Sequence, residues 1–183
     1  MASFFTRKGD DGTTGMLGKE RINKFDLRME TLGTLDEVSA VLGLARCKAN
    51  SEETKTTLLK IQRELYLLMA ETAATKEISE TFSKIDENHV SWLEEKTEQF
   101  GNNIQLMPEF IVPGDTESGA ALDFARTVVR RAERRMAELS NAKMVENKYL
   151  LAYINRLSSL IFVLELFENQ ISGFKKPTLA KED

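Results

Sequence analysis

One histidine, His89, one cysteine, Cys47, and three prolines in 183 residues set the first limits on this chain. Structural zinc takes about four Cys or His ligands and catalytic zinc usually three protein ligands, so neither site can be assembled here without unusual carboxylate substitution. A di-iron bundle, whose two Glu-x-x-His motifs need two histidines, is excluded by the same count. A lone cysteine cannot form an intramolecular disulfide, which fits a reducing compartment. The N-terminus, Met1 to Asp10, lacks the apolar core of a signal or transit peptide. No uninterrupted apolar run approaches the roughly 20 residues of a membrane span. A soluble, cytoplasmic protein with no membrane partner is expected. With 25 basic against 29 acidic residues and a net charge of −4, a general nucleic-acid binder is disfavoured, although a local basic patch for a small anion is not.

What the chain does have is helical periodicity. Hydrophobic residues make up 42% of it, enough at this length for one sizeable core. Apolar residues spaced for helix run over about 26–49 (Leu32, Leu35, Val38, Val41, Leu42, Ala45) and 52–76 (Leu58, Ile61, Leu65, Leu68, Met69, Ala73). A shorter helix starts at the cap Asp86, carries Val90, Trp92, Leu93 and Phe100, and stops at Gly101-Asn102-Asn103. Pro108 and Pro113 then bracket an extended segment, Glu109 to Val112. Two more helices are predicted over about 116–140, with Ala125, Val128, Val129, Ala132 and Met136 in one stripe, and about 146–171, with Ile154, Leu157, Ile161 and Leu164. The fold class is therefore all-α. Residues 1–183 form a single domain: an irregular arm over 1–25, a five-helix bundle over 26–171, and a flexible tail over 172–183.

Two clusters look chemical. The arm places Gly9, Gly12, Gly15 and Gly18 within ten positions, among Thr6, Arg7, Lys8, Thr13, Thr14 and Lys19. Glycines let backbone N–H groups turn toward one anion, and the Thr, Lys and Arg side chains add donors, so the segment reads either as a phosphate cradle or as a loose arm with turns. It is not a Walker A loop, because Gly18-Lys19 is followed by Glu20 rather than Ser or Thr. On the fourth predicted helix, Arg126, Arg130 and Arg134 fall within about 80° of each other and roughly 145° from the apolar stripe. With Arg131, Arg135 and Glu133 they form either an anion-binding row or a solvated face balanced by Glu133 and Glu138.

Single residues are less informative. Asp36 and Asn155 point away from their stripes and default to the surface. Phe110 is a large apolar side chain in a Pro-bounded loop. His89 reads as a surface or capping residue, Cys47 as a small buried side chain, and the scattered methionines as packing.

Taken in order, four blocks resemble the propanediol-utilisation type of ATP:cob(I)alamin adenosyltransferase: Thr-Arg-Lys-Gly-Asp-Asp-Gly-Thr-Thr-Gly at 6–15, Gly-Thr-Leu-Asp-Glu at 33–37, Phe-Ile-Val-Pro-Gly at 110–114 leading to Ala-Arg-Thr-Val-Val-Arg-Arg-Ala-Glu-Arg-Arg at 125–135, and Ile-Asn-Arg-Leu-Ser at 154–158. The likeness covers Thr6 to about Glu168. It implies a ferritin-like five-helix bundle assembled as a homotrimer, with active sites between subunits, that transfers the 5′-deoxyadenosyl group of ATP to cob(I)alamin. A non-catalytic ATP-binding or corrinoid-delivery protein of the same fold is the alternative. By position, the resemblance implies ATP contacts at Thr6, Arg7, Lys8, Gly9, Thr14, Gly15, Lys24, Arg130, Arg131, Glu133, Arg134 and Asn155. It further implies a salt bridge between Asp36 and Arg126, and Phe110 on the lower face of the corrin.

The implied chemistry suits a chain poor in histidine and cysteine. Cob(I)alamin is itself the nucleophile, attacking the ribose 5′ carbon of ATP and expelling triphosphate, so the protein needs no nucleophile and no metal ligands of its own. ATP with Mg²⁺ held by its phosphates and cobalamin as substrate are the implied small molecules, and a flavoprotein reductase and an adenosylcobalamin-dependent enzyme fit as partners. The chain departs from the family's pattern at Asp115, Asp123, Ser159 and Leu160, all on the expected corrin side.

Overall fold

Side chains start every long helix by accepting the backbone N–H groups that the first turn leaves unpaired. In the computed structural model, which describes residues 5–104, 109–174 and 176–181, Asp26 caps α1 (Leu27–Lys48) through Arg28 N, and Ser51 caps α2 (Glu52–Ala73) through Glu53 N and Thr54 N. After the single turn α3 (Ser79–Phe82), Asp86 caps α4 (Glu87–Gly101), and the His89 side chain completes a reciprocal capping box. Thr116 caps α5 (Glu117–Asn141), and Asn147 caps α6 (Lys148–Ile171). His89 is thus a capping residue, as its sequence context suggests.

The apolar stripes meet as the periodicity requires. α5 packs against both α1 and α6, α1 also against α2, and α4 closes on α6. Leu35, Val38 and Leu42 of α1, Leu58, Ile61 and Leu65 of α2, Val129, Ala132 and Met136 of α5, and Ile154, Leu157 and Ile161 of α6 are buried in one core. A window within α6 has a mean hydropathy of 1.6 and the length to cross a membrane. In the structure it is the helix shared by α4 and α5, and it carries buried Glu165, Glu168 and Asn169. α5 and α6 approach so closely at one end that a Cβ on Gly119 would lie 2.1 Å from Asn169 Oδ1. Only glycine fits there.

Four expectations are revised. The arm is not irregular throughout: β1 (Thr13–Gly15) and β2 (Arg21–Asn23) pair antiparallel, with Thr14 opposite Ile22. Leu17 N–H then donates to Ala73 O and Thr75 N–H to Leu17 O, joining the arm to the end of α2. That pairing explains why α2 stops at Ala73 rather than near residue 76, since the backbone of Thr75 is already engaged. The tail is also docked in part, because Val112 N–H donates to Thr178 O and Ala180 N–H to Phe110 O, both at 2.8 Å. Asp115 fixes it further, accepting from Thr178 N and Thr178 Oγ1 at 3.0 and 2.7 Å. Cys47 is exposed, two positions past core residue Ala45 and so on the opposite side of α1. Pro108, expected to open the loop, lies outside the described residues.

Glu168 ties the bundle end together. Although fully buried, it accepts from Asn50 N at 2.8 Å and Ser51 N at 3.1 Å, at the entrance to α2. Replacing Glu168 with Ala should lower unfolding free energy by about 2–4 kcal/mol, because two buried donors lose their acceptor. Equilibrium denaturation measures this, and a loss under about 0.5 kcal/mol would contradict it.

Candidate active site

The arm is held in shape by its own cations. Lys24 Nζ donates to Gly9 O at 2.7 Å, and Arg21 reaches Lys8 O and, at 2.6 Å, Thr13 Oγ1. Asp11 accepts from Thr13 N and Thr13 Oγ1 at 2.9 and 2.8 Å, bonds that hold its carboxyl below the usual range. Gly12, at φ 81°, makes the backbone reversal that the hairpin needs. Thr6, Arg7, Lys8 and Gly15 are exposed on this frame, and Thr14 is half-buried. Lys24 therefore braces the loop at Gly9.

On α5 the arginines divide into two sets. Arg131 pairs with Glu37, and Arg135 with Glu138 at 2.9 Å and Glu30 at 3.8 Å, so this side is tied chiefly to α1. On the other side Arg130 lies 3.7 Å from Glu133, whose Oε1 accepts from Asn155 Nδ2 at 2.6 Å. Asn155 Oδ1 in turn accepts from Arg156 at 2.7 Å, and Arg156 reaches Glu94 at 2.7 Å. Arg130, Glu133 and Asn155 are thus joined across α5 and α6. Arg134 is exposed beside them and, among the described residues, has no ion pair within 4 Å.

A cavity of about 580 Å³ adjoins this network. Phe110, Ile111, Pro113 and Phe162 give it an apolar side, while Asp123, Arg126, Ser158 and Glu165 give it a polar one. Arg130 lines it too, standing between the cavity and the polar network. Phe110 is 86% exposed at the mouth, on the loop that the tail holds. Within one chain Arg126 Nε and Nη2 donate to Asp123 Oδ1 at 2.9 and 2.6 Å, and Asp36 stands exposed on α1, so the two are not brought together in the single subunit.

Sequence reasoning passed over Arg156, Ser158 and Glu165. The first two stand in the 154–158 block. Glu165 carried its own signal, being a charged residue at core spacing after Ile161, with Glu168 beside it in the same stripe. Burial, reinforced by Asp123 and Asp115 and opposed by Arg126, pushes the Glu165 carboxyl up to about 8. Its value stands above the ordinary 4.5, so between these limits the folded protein holds a proton that the unfolded chain has released. The stability this acid form provides is complete below pH 4.5 and declines as pH rises toward 8. Glu165→Gln should therefore raise Tm more at pH 8 than at pH 5, and an equal effect at both would contradict the assignment.

The arrangement matches known proteins in sequence and in three dimensions. The cobalamin adenosyltransferase family profile matches residues 4–168. The corrinoid adenosyltransferase PduO of Salmonella typhimurium is 38% identical over 168 residues, which are 91% of this chain but 50% of that protein. The chain thus spans about half the length of that relative. The corrinoid adenosyltransferase of Bacillus subtilis is 34% identical over 173 residues, 92% of this chain and 88% of the relative. A variant of the PduO-type ATP:corrinoid adenosyltransferase from Lactobacillus reuteri, solved with cobalamin and ATP, superposes with a TM-score of 0.90 at 29% identity, covering 98% of this chain and 100% of that one. From the arm to the last helix of the core, the chain belongs to the cobalamin adenosyltransferase family.

Proposed function

We propose that this chain transfers the 5′-deoxyadenosyl group of ATP to cob(I)alamin, forming adenosylcobalamin and triphosphate. The observation that carries the reading is Arg130, which lines the half-apolar cavity and also belongs to the polar network beside it. A corrin suits the first environment and a polyphosphate the second, so the residue stands where the two substrates must meet. In the reaction the cobalt–carbon bond forms as the C5′–O5′ bond breaks, and the electron pair of that bond leaves with triphosphate. No proton has to move. The protein's contribution is alignment and stabilisation of charge on the departing oxygen.

In this reading Thr6, Arg7, Lys8, Gly9, Thr14 and Gly15 wrap the phosphates, with Lys24 holding the Gly9 turn. Arg130 and Arg134 face the phosphates, Asn155 the nucleoside, and Arg131 and Glu133 keep the row in register through Glu37 and Asn155. Among the described residues no three His, Cys, Asp or Glu side chains converge as a metal site. A Mg²⁺ ion arriving with ATP would be held chiefly by phosphate oxygens and water. Exposed Phe110 and Phe162 on the cavity side support closure by another copy of the chain, in a homotrimer where Asp36 meets Arg126 across the interface. A cytoplasmic setting, a flavoprotein reductase that supplies reduced corrinoid, and an adenosylcobalamin-dependent enzyme that takes the product complete the proposal.

The test is an anaerobic assay with reduced cobalamin and Mg-ATP, in which adenosylcobalamin and triphosphate should appear together. ATP binding without product would favour the non-catalytic alternative. Arg130→Ala should lower kcat by about 10²–10³-fold, as loss of one transition-state donor does, and unchanged turnover would overturn its role. Phe110 has no lone pair to offer cobalt, so beneath the corrin it can displace the lower axial ligand and ease reduction of cob(II) to cob(I). Phe110→Ala should accordingly impair the reaction from cob(II)alamin more than from pre-reduced cob(I)alamin, and equal losses would contradict that role.

A further inference from the structure

We propose that Glu165 is a corrinoid-contacting residue, its carboxyl hydrogen bonding to a peripheral carboxamide of the substrate. The inference rests on the adenosyl-transfer reading and adds a recognition contact to it. Buried polar groups in folded proteins are nearly always paired, and each exception asks for an occupant. Glu165 is 1% exposed, its Oε2 is buried without a hydrogen-bond partner, and the residue lines the cavity. Ser158 and Phe162, seven and three positions earlier on α6, line the same cavity, so one helix face carries all three.

The neighbouring polar groups are already engaged. Arg126 is bonded to Asp123, Ser158 Oγ donates to Asn155 O at 2.9 Å, and Arg130, only 3.7 Å from Glu133, is the cation assigned to the phosphates. The charged surroundings of Glu165 are Asp123, Arg126 and Arg130 on α5, and Asp115 and Glu109 on the loop before it. Among these Asp123, Asp115 and burial favour the neutral carboxyl, and Arg126 opposes it. A neutral carboxyl offers one O–H donor and one C=O acceptor, and a primary carboxamide offers the complementary C=O and N–H, so the two can pair at both ends. Corrinoids carry such carboxamides around the ring. Phosphate is the wrong partner for a buried acid, no metal-ligand cluster includes Glu165 among the described residues, and the displacement leaves no proton for it to take. Recognition of an uncharged amide is what remains.

The experiment compares wild type with Glu165→Leu and Glu165→Gln, measuring KM for cob(I)alamin and for ATP, kcat, and the Kd for cob(II)alamin by absorbance titration with ATP present. Glu165→Leu should raise corrinoid KM and Kd about tenfold, the worth of one well-made hydrogen bond, while ATP KM and kcat at saturation stay within about twofold. Glu165→Gln keeps a donor and an acceptor, so at pH 7 its corrinoid KM should stay within about twofold of wild type. Above pH 8 the wild-type corrinoid KM should rise while that of the Gln variant stays flat. A Leu variant with unchanged corrinoid KM, or one whose only change is a lower Tm, would overturn the proposal. If the Leu variant does not fold, identical pH profiles for wild type and Gln would overturn it equally. Active wild type with unmoved Glu165 variants defeats this contact alone, whereas wild type that neither binds nor adenosylates cobalamin defeats the adenosyl-transfer reading and this inference together.

Discussion

Five arginines within ten residues of one helix, Arg126, Arg130, Arg131, Arg134 and Arg135, repel one another, and α5 can carry them only where carboxylates are interleaved. Asp123, Glu133 and Glu138 come from α5 itself, and Glu37 and Glu30 from α1. The distribution of these acids decides what each guanidinium can do. Arg131 and Arg135 are held against α1, and Arg126 against its own helix. Arg130, in a loose pair at 3.7 Å, and Arg134, exposed, keep charge to offer outward. The opposite face of the same helix packs in the core, so the row is mounted on a rigid support.

From this division the site takes its shape. The side of α5 that carries Arg130 runs into α6 through Glu133 and Asn155, and the cavity opens at the same place. Its apolar side depends on the 109–113 loop, which lies against the tail through Asp115 and Thr178. Asp115 thereby fixes the loop to the tail. Asp123 occupies Arg126 and helps keep the Glu165 carboxyl protonated.

Much of the bundle was legible in the sequence because helices advertise themselves locally. The stripes from Leu35 to Ala45 and from Ala125 to Met136, and the cap Asp86, need only neighbours within a few residues. The misses were tertiary. The strands at 13–15 and 21–23 are too short to show alternation, and their pairing depends on Arg21 and Lys24 closing the arm. Docking of the tail depends on Asp115 and Thr178, 63 positions apart. Of the candidate site, the arm and the arginine row drew attention by spacing, and Asn155 and Phe110 only through the family blocks. Glu165 was not, because an acid in an apolar stripe reveals its meaning only when the opposing wall is known to leave it unpaired.

The poverty in histidine and cysteine, at first a set of exclusions, now defines the central chemical claim: a protein that positions two substrates and supplies no covalent intermediate. Stereochemistry at the transferred carbon tests this most directly. With ATP made chiral at C5′ by deuterium, a single in-line attack by cobalt predicts inversion in the adenosylcobalamin formed. Retention would require two successive displacements through a group on the protein, and would contradict the claim.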